Sequence, residues 1–313
     1  LRRIGRSAML AVAVVAGMLL LAVADPDHAR QRSHLAFFVV IGLLTVGAAR
    51  FIVALVMNGV LPRPYSDHVF PSALGVLLGV LLVGQPFAAA VGAWSALALP
   101  VFASAPLATL VRSVAMISSA AIAARHARKR SLIFRAGLWI GLAGAAVTAL
   151  QAVEARDPFR VALTQIGIVL ANGLVTSAVT LIVLPLLEAL FGLTSDMHLL
   201  ELSDPSHPLL QKLATEAPGT YHHSLMVAAL ARAAADAIGA NGLLARVGAL
   251  YHDIGKLTNP RYFIENAPSG ANPHAELSPQ MSTLVILSHV REGTQLARAH
   301  RLPAPIREAI EQH

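Results

Sequence analysis

His222 and His223 stand side by side near the start of the run TYHHSLMVAALARAAADAIGANGLLARVGALYHDIGK (220–256), and a His252-Asp253 doublet lies near its end. Apolar residues between the two clusters recur at helical spacing, and Gly239 and Asn241-Gly242 interrupt them as an αα-hairpin requires. Folding that hairpin brings an imidazole face to face with an imidazole–carboxylate pair, a donor set suited to a divalent first-row metal. Further along, His289 and His313 each fall on a helical pattern or at its end. Any one histidine is a weak signal, and His-Asp dipeptides occur by chance. The ordered series of His, His-Asp with Gly-Lys close behind, His and His is far more specific.

The elements that must position these groups read as helices, with no convincing period-2 strand pattern. The spacing predicts helices over 219–238 and 242–253, then a loop rich in Asn, Pro and Gly over 258–277. Ser278 as N-cap and Pro279 in the first turn open the helix that carries His289, which continues or breaks near Gly293. A last helix begins at Pro305 and carries His313. His198 and His207 read as exposed or capping groups, and His300 as chemically silent.

Composition divides the chain. At 56% hydrophobic and 13% charged it is too apolar for an ordinary soluble protein. The net charge of +7 raises the question of nucleic acid. Residues 1–195, however, hold 15 Lys/Arg against 6 Asp/Glu, a net +9, and residues 196–313 hold 9 against 11, a net −2. The basic excess therefore belongs to the apolar half, where it sets membrane topology rather than gripping a polyanion. Histidine runs the other way, four before residue 195 and nine after it. With no cysteine, disulfides and thiolate metal sites are excluded.

Seven apolar runs fit within 1–191: about 8–24, 35–58, 69–83, 87–104, 106–123, 132–153 and 161–191. Most approach the roughly 20 residues that span a bilayer, while the third and fourth are short and interrupted by Pro71, Pro86 and Pro100. Gly75/Gly79 and Gly137/Gly141 have the small-xxx-small spacing of close helix contacts. The densest basic loop, Arg125–Arg135, is expected in the cytoplasm, which by parity puts the N-terminus outside and the region after Phe191 inside. Arg2, Arg3 and Arg6 oppose that assignment. Arg50, Arg112 and Glu188, in or near the spans, read as packing or snorkelling charges. Residues 192–219 read as a linker with a short helix. The chain opens on Leu1 without a defensible signal-peptide cleavage site and stops at His313 without a helix stop signal, so it reads as a fragment of a longer protein.

So many ligands suggest two ions. A pair of divalent ions about 3.5–4 Å apart binds a nucleophilic hydroxide and stabilises the departing oxygen of a phosphoryl transfer. A carboxylate must bridge them, and Asp253 is the one placed to do so. Lys256, three residues on, is positioned to meet a phosphate oxygen.

The motifs GTYHHS, YHDIGK, FIEN, NPH, ILSHV and LPAPIREAIEQH resemble those of the HD-domain metal-dependent phosphohydrolases, and within them the branch with a seven-transmembrane module. The junction PLLEALFGLTSDMHLLELSDPSHPLL and Asn172-Gly173 are similar to that branch as well. The resemblance implies a membrane-anchored cyclic dinucleotide phosphodiesterase, opening cyclic di-AMP to linear pApA through two divalent ions, Mn or Fe, by attack of a metal-bridging hydroxide. It also implies the roles. His223, His252 and Asp253 hold one ion together with a distal Asp; Asp253, the bridge, holds the other with His289 and a pair beginning at His313. Lys256 is the second catalytic group. His222 is the less favoured of its pair, and His274 stands beside the ligands or on the substrate side.

The second His of the terminal pair and the distal Asp would fall beyond residue 313, so the chain as given is expected to be inactive or nearly so. The whole is therefore expected to be all-α: a polytopic transmembrane bundle of about seven spans (1–191), a juxtamembrane linker (192–219) and an incomplete, cytoplasmic HD domain (220–313). Its partners are a cyclic dinucleotide and the lipid bilayer, with no nucleic acid polymer and with homo-oligomerisation open. The competing readings are an HD hydrolase of another nucleotide or phosphomonoester, and a nucleotide-binding receptor without turnover. A transporter would need polar residues along a path through the spans, in which the sequence is poor.

Overall fold

The computed structural model describes residues 12, 15–26, 32–60, 62, 65, 67–103, 107–125, 127–267 and 272–313. Arg2, Arg3 and Arg6 lie outside the described residues. The chain divides into two compact units, Leu1–Phe191 and Gly192–His313, and the described residues form helices and turns with no strand.

In the first unit every apolar run finds a helix: α1 (Val15–Ala24), α2 (Arg32–Met57), α3 (Leu74–Leu82), α4 (Gln85–Ala103), α5 (Leu107–Ala124), α6 (Arg130–Ala155) and α7 (Phe159–Phe191). Among the described residues three of them, α2, α6 and α7, are long and apolar enough to cross a membrane. The nine residues of α3 reach only roughly 14 Å, less than half of a hydrocarbon core of about 30 Å. Phe37, Phe38, Phe87 and Trp94 interlock in stacked and edge-on pairs between α2 and α4.

The small residues have the role that their spacing predicts. A Cβ on Gly141 would lie 2.9 Å from the Leu170 carbonyl oxygen, and one on Gly173 would strike the backbone of Gly137 and Gly141. Helices α6 and α7 therefore meet backbone to backbone. Polar side chains stitch the rest. Asn172 donates to the carbonyls of His68 and Phe70 at 3.0 Å each, and Arg112 donates to the Asp67 carbonyl at 2.6 Å and to Gln151 Oε1 at 3.0 Å. These bonds satisfy the non-helical backbone ahead of α3, which would otherwise be costly inside the bundle. Arg112 is buried, as a bundle-packing charge would be; Glu188 is buried on α7, and Arg50 is exposed near the end of α2.

The second unit contains α8 (Asp196–Leu202), α9 (Pro208–Glu216), α10 (Pro218–Ala237), α11 (Gly242–Tyr251), three 3-10 turns (Ile254–Thr258, Pro260–Tyr262 and Ile264–Asn266), α12 (Pro279–Ala299) and α13 (Ala304–Gln312). The segment expected as a linker with one short helix makes two. Their Leu199, Leu202, Leu209, Leu210 and Leu213 enter the same core as Val247, Leu250, Ile254, Ile306 and Ile310. Leucines at i, i+3 and i+4 cannot stay in water when an apolar groove is at hand. The Tyr251 hydroxyl, fully buried, donates to the Leu202 carbonyl at 2.7 Å and ties α11 to α8. The caps follow the sequence: Asn241 accepts from the Leu244 amide at 2.9 Å and Ser278 from the Met281 amide at 3.3 Å. Helix α12 runs through Gly293 unbroken.

Replacing Gly173 by Ala forces α6 and α7 apart and is expected to destabilise the bundle by about 1–3 kcal/mol. Gly167, on the same helix with open space around it, should accept Ala at no cost. Thermal unfolding of both variants in detergent checks the difference.

Candidate metal centre

The second unit brings five of the predicted residues to one point. His223 comes from the first turns of α10, and His252 caps the end of α11. Asp253 opens the 3-10 turn that follows, His289 lies midway along α12, and His313 ends α13. Helix α11 was expected to run on to Asp253 but stops at Tyr251. The change to a 3-10 turn there redirects the carboxylate to the interior, where Asp253 is only 3% exposed. Close packing fixes the turn against α12, because a Cβ on Gly255 would fall on the backbone at the His289 carbonyl and 2.5 Å from the Gly293 amide.

The two oxygens of Asp253 face different histidine pairs. Oδ2 lies 3.2 Å from His252 Nε2 and 3.8 Å from His223 Nε2; Oδ1 lies 3.4 Å from His313 Nε2 and 3.5 Å from His289 Nε2. The result is two groups of three potential metal donors that share Asp253: His223–His252–Asp253 and Asp253–His289–His313.

The ring orientations are set by the backbone. Nδ1 of His252 contacts the Ala249 carbonyl at 2.7 Å, Nδ1 of His313 contacts that of Ile310 at 2.9 Å, and Nδ1 of His289 contacts that of Ile286. Each carbonyl lies three residues earlier within hydrogen-bond reach of Nδ1, which leaves Nε2 pointing inward. Nε2 of His289 and Nε2 of His313 stand 2.9 Å apart beside a carboxylate. Such a concentration of potential ligand atoms suits a cation. Two imidazoles bound cis to one ion at about 2.1 Å would stand roughly 3 Å apart, so these residues fit a divalent metal.

Lys256 was expected to meet a phosphate oxygen. Its Nζ lies 2.8 Å from Asp253 Oδ2 and 2.8 Å from Glu265 Oε1, and 4.9 Å from the centre of the Phe263 ring. Glu265 is held in turn by the Thr220 hydroxyl at 3.0 Å, and Asn266 exchanges bonds with Thr220. Burial pushes the Asp253 carboxyl up, but hydrogen bonds from His252, His313 and Lys256 outweigh it and hold the group far below the usual carboxylate range. For Lys256, burial is outweighed by Asp253 and Glu265, which raise it. Glu265 is lowered against burial, chiefly by Lys256, and His313 is raised by its bond to Asp253. Asp253, Lys256 and Glu265 therefore remain ionised at neutral pH.

The remaining histidines are elsewhere. His222 is exposed and belongs to neither donor group. His274 contacts the Tyr262 carbonyl at 2.8 Å and packs on that ring. His207 is the N-cap residue of α9 but makes no side-chain cap bond, and lies edge-on to Tyr251 with ring centres 5.6 Å apart. His300 caps the end of α12. The roles of Glu265, Thr220 and Asn266 were missed in the sequence, where the FIEN and GTYHHS strings marked only their places.

Residues 1–195 match the family model described as 7TM receptor with intracellular HD hydrolase, and residues 220–313 match the HD domain. The chain is 45% identical over 193 residues to the cyclic-di-AMP phosphodiesterase PgpH of Bacillus subtilis, covering 59% of this chain and 26% of that protein. It is 43% identical over 191 residues to the PgpH of Listeria monocytogenes, covering 60% and 27%. The solved HD domain of L. monocytogenes PgpH in complex with cyclic-di-AMP is 54% identical, with a TM-score of 0.34, over 35% of this chain and 51% of that one. The chain thus spans about a quarter of the length of the curated relatives. With more than half of its residues matched by one family model, the chain belongs to the family of 7TM receptors with an intracellular HD hydrolase.

Proposed function

We propose that this chain carries the membrane module and much of the catalytic site of a dinuclear-metal phosphodiesterase that opens a cyclic dinucleotide, cyclic di-AMP to pApA. The observation that carries the reading is the placement of Asp253, one oxygen toward each histidine pair, as a bridging carboxylate requires. His223, His252 and Asp253 would hold one divalent ion, and Asp253, His289 and His313 the other. Imidazole with carboxylate suits manganese or iron. When bound, such ions lower the pKa of water and stabilise charge on a departing oxygen. The chain's own groups do the rest. Lys256, charged and pinned between Asp253 and Glu265, presents a cation at the edge of the centre to a phosphate oxygen. Glu265 sets its direction, and Thr220 and Asn266 set that of Glu265.

The site faces the cytoplasm in this reading. Arg125, Arg128, Lys129 and Arg130 cluster where α5 turns into α6, and the positive-inside rule places that turn in the cytoplasm. Helices α6 and α7 cross and return, so the chain leaves Phe191 on the same side.

In the natural protein, conversion of cyclic di-AMP to pApA with added manganese is expected to fall by more than about 100-fold in Asp253→Ala, beyond the 10–100-fold typical of groups that support a ligand. Turnover untouched by that change would place the chemistry elsewhere. Glu265→Gln keeps the shape but loosens Lys256, and should cost about 10-fold with metal content unchanged. In the 313-residue chain itself, manganese should raise the midpoint of thermal unfolding and a chelator should reverse it, through preferential binding to the folded state. The Asp253→Ala variant should show neither effect.

A further inference from the structure

The membrane unit contains a polar cavity that the phosphodiesterase reading does not use. It has a volume of about 430 Å³ and lies among the first turns of α5, the last turns of α6, the first turns of α7 and the Asp67-His68 turn. By the order of the helices this is the end of the bundle away from the basic α5–α6 turn.

Three features mark it as built. The first is Arg112, on the cavity wall and only 4% exposed, whose hydrogen bonds run to neutral acceptors, the Asp67 carbonyl and Gln151 Oε1. A guanidinium so placed keeps free N–H donors and a charge that no bonded carboxylate neutralises. The second is His68, whose Nδ1 is buried with no hydrogen-bond partner. The third is the backbone, which is non-helical at 67–73 and is pinned by Asn172, roughly 20 Å along α7 from Phe159. Unwound backbone held inside a membrane bundle is tolerated where it lines a cavity, and commonly marks a binding site.

The lining also carries the opposite sign. Asp67, whose charge acts on Arg112, Glu154, exposed, and Asp157, half-buried, line the cavity, while Gln165 and Thr109 are buried along its wall. A single anion would suit Arg112 but would be repelled by these carboxylates; a single cation would suit the carboxylates but not Arg112. We propose that this cavity binds a small zwitterion of the α-amino acid or dipeptide class, its carboxylate toward Arg112 and His68 and its ammonium toward Asp157 and Glu154. The volume lies within the range of small-molecule sites, about 300–1,000 Å³. The inference does not depend on the phosphodiesterase reading.

The absence of cysteine gives a clean test. Ala155 lines the cavity and is exposed, so Ala155→Cys in the 313-residue chain, in lipid nanodiscs, reports access by its rate of labelling with a maleimide. Each of the common L-amino acids, except cysteine (its thiol would consume the maleimide) and the sparingly soluble tyrosine, and glycylglycine is added singly at 10 mM, an excess of roughly tenfold or more over a Kd of about 1 mM or below. At least one is expected to slow labelling fivefold or more, while acetate and methylammonium do not. Arg112→Gln and, separately, Asp157→Asn should weaken the protection at least tenfold. The half-buried Asp157 keeps the test open even if Arg112→Gln does not fold. No protection by any member of the set would overturn the proposal. So would protection by acetate alone, or protection unchanged in Asp157→Asn.

Discussion

A carboxylate almost out of water, ringed by four histidine Nε2 atoms, is the interaction on which the second unit depends. Burying the Asp253 charge would cost several kcal/mol if nothing compensated it. Lys256 offsets part of that cost at 2.8 Å, and Glu265 keeps the lysine there. Four Nε2 atoms face it, and three of the four rings are oriented by a contact between Nδ1 and a backbone carbonyl. The arrangement is a poor choice for an empty core and a good one for positive charge. Much of the scaffold serves it. The 3-10 turn aims Asp253, Gly255 lets α12 come close enough to present His289, and Tyr251 anchors the end of α11 to the Leu202 carbonyl.

The convergence of His223, His252, Asp253, His289 and His313 was legible in the sequence because it depends on residue type and order. Few side chains bind metals, and the glycines that break the α10–α11 hairpin can be read directly. The supporting network was not legible for the opposite reason. Thr220, Glu265 and Asn266 are ordinary polar residues, 45 and 46 positions apart in sequence, and acquire meaning only once the turn 264–266 folds back on the start of α10. The second helix of the expected linker escaped notice because a few leucines in a Pro- and Ser-rich stretch look like a tether until the groove that takes them exists. In the membrane unit hydropathy located every helix but not its status. Nothing in the composition of 69–83 showed that its first residues are unwound backbone held by Asn172 and that only nine of them form a helix.

The polar interiors of the two units answer to the same electrostatics. In the second unit four imidazoles converge on a shared carboxylate, and a low-dielectric site of that kind selects cations. In the membrane unit the cavity wall carries a guanidinium whose hydrogen bonds go only to neutral oxygens, together with the carboxylates of Asp67, Glu154 and Asp157. Charge interactions are worth more in a bilayer than in water. A wall that presents both signs without a hydrogen-bonded pair between them leaves that gain to be made, and a molecule that carries both signs makes it.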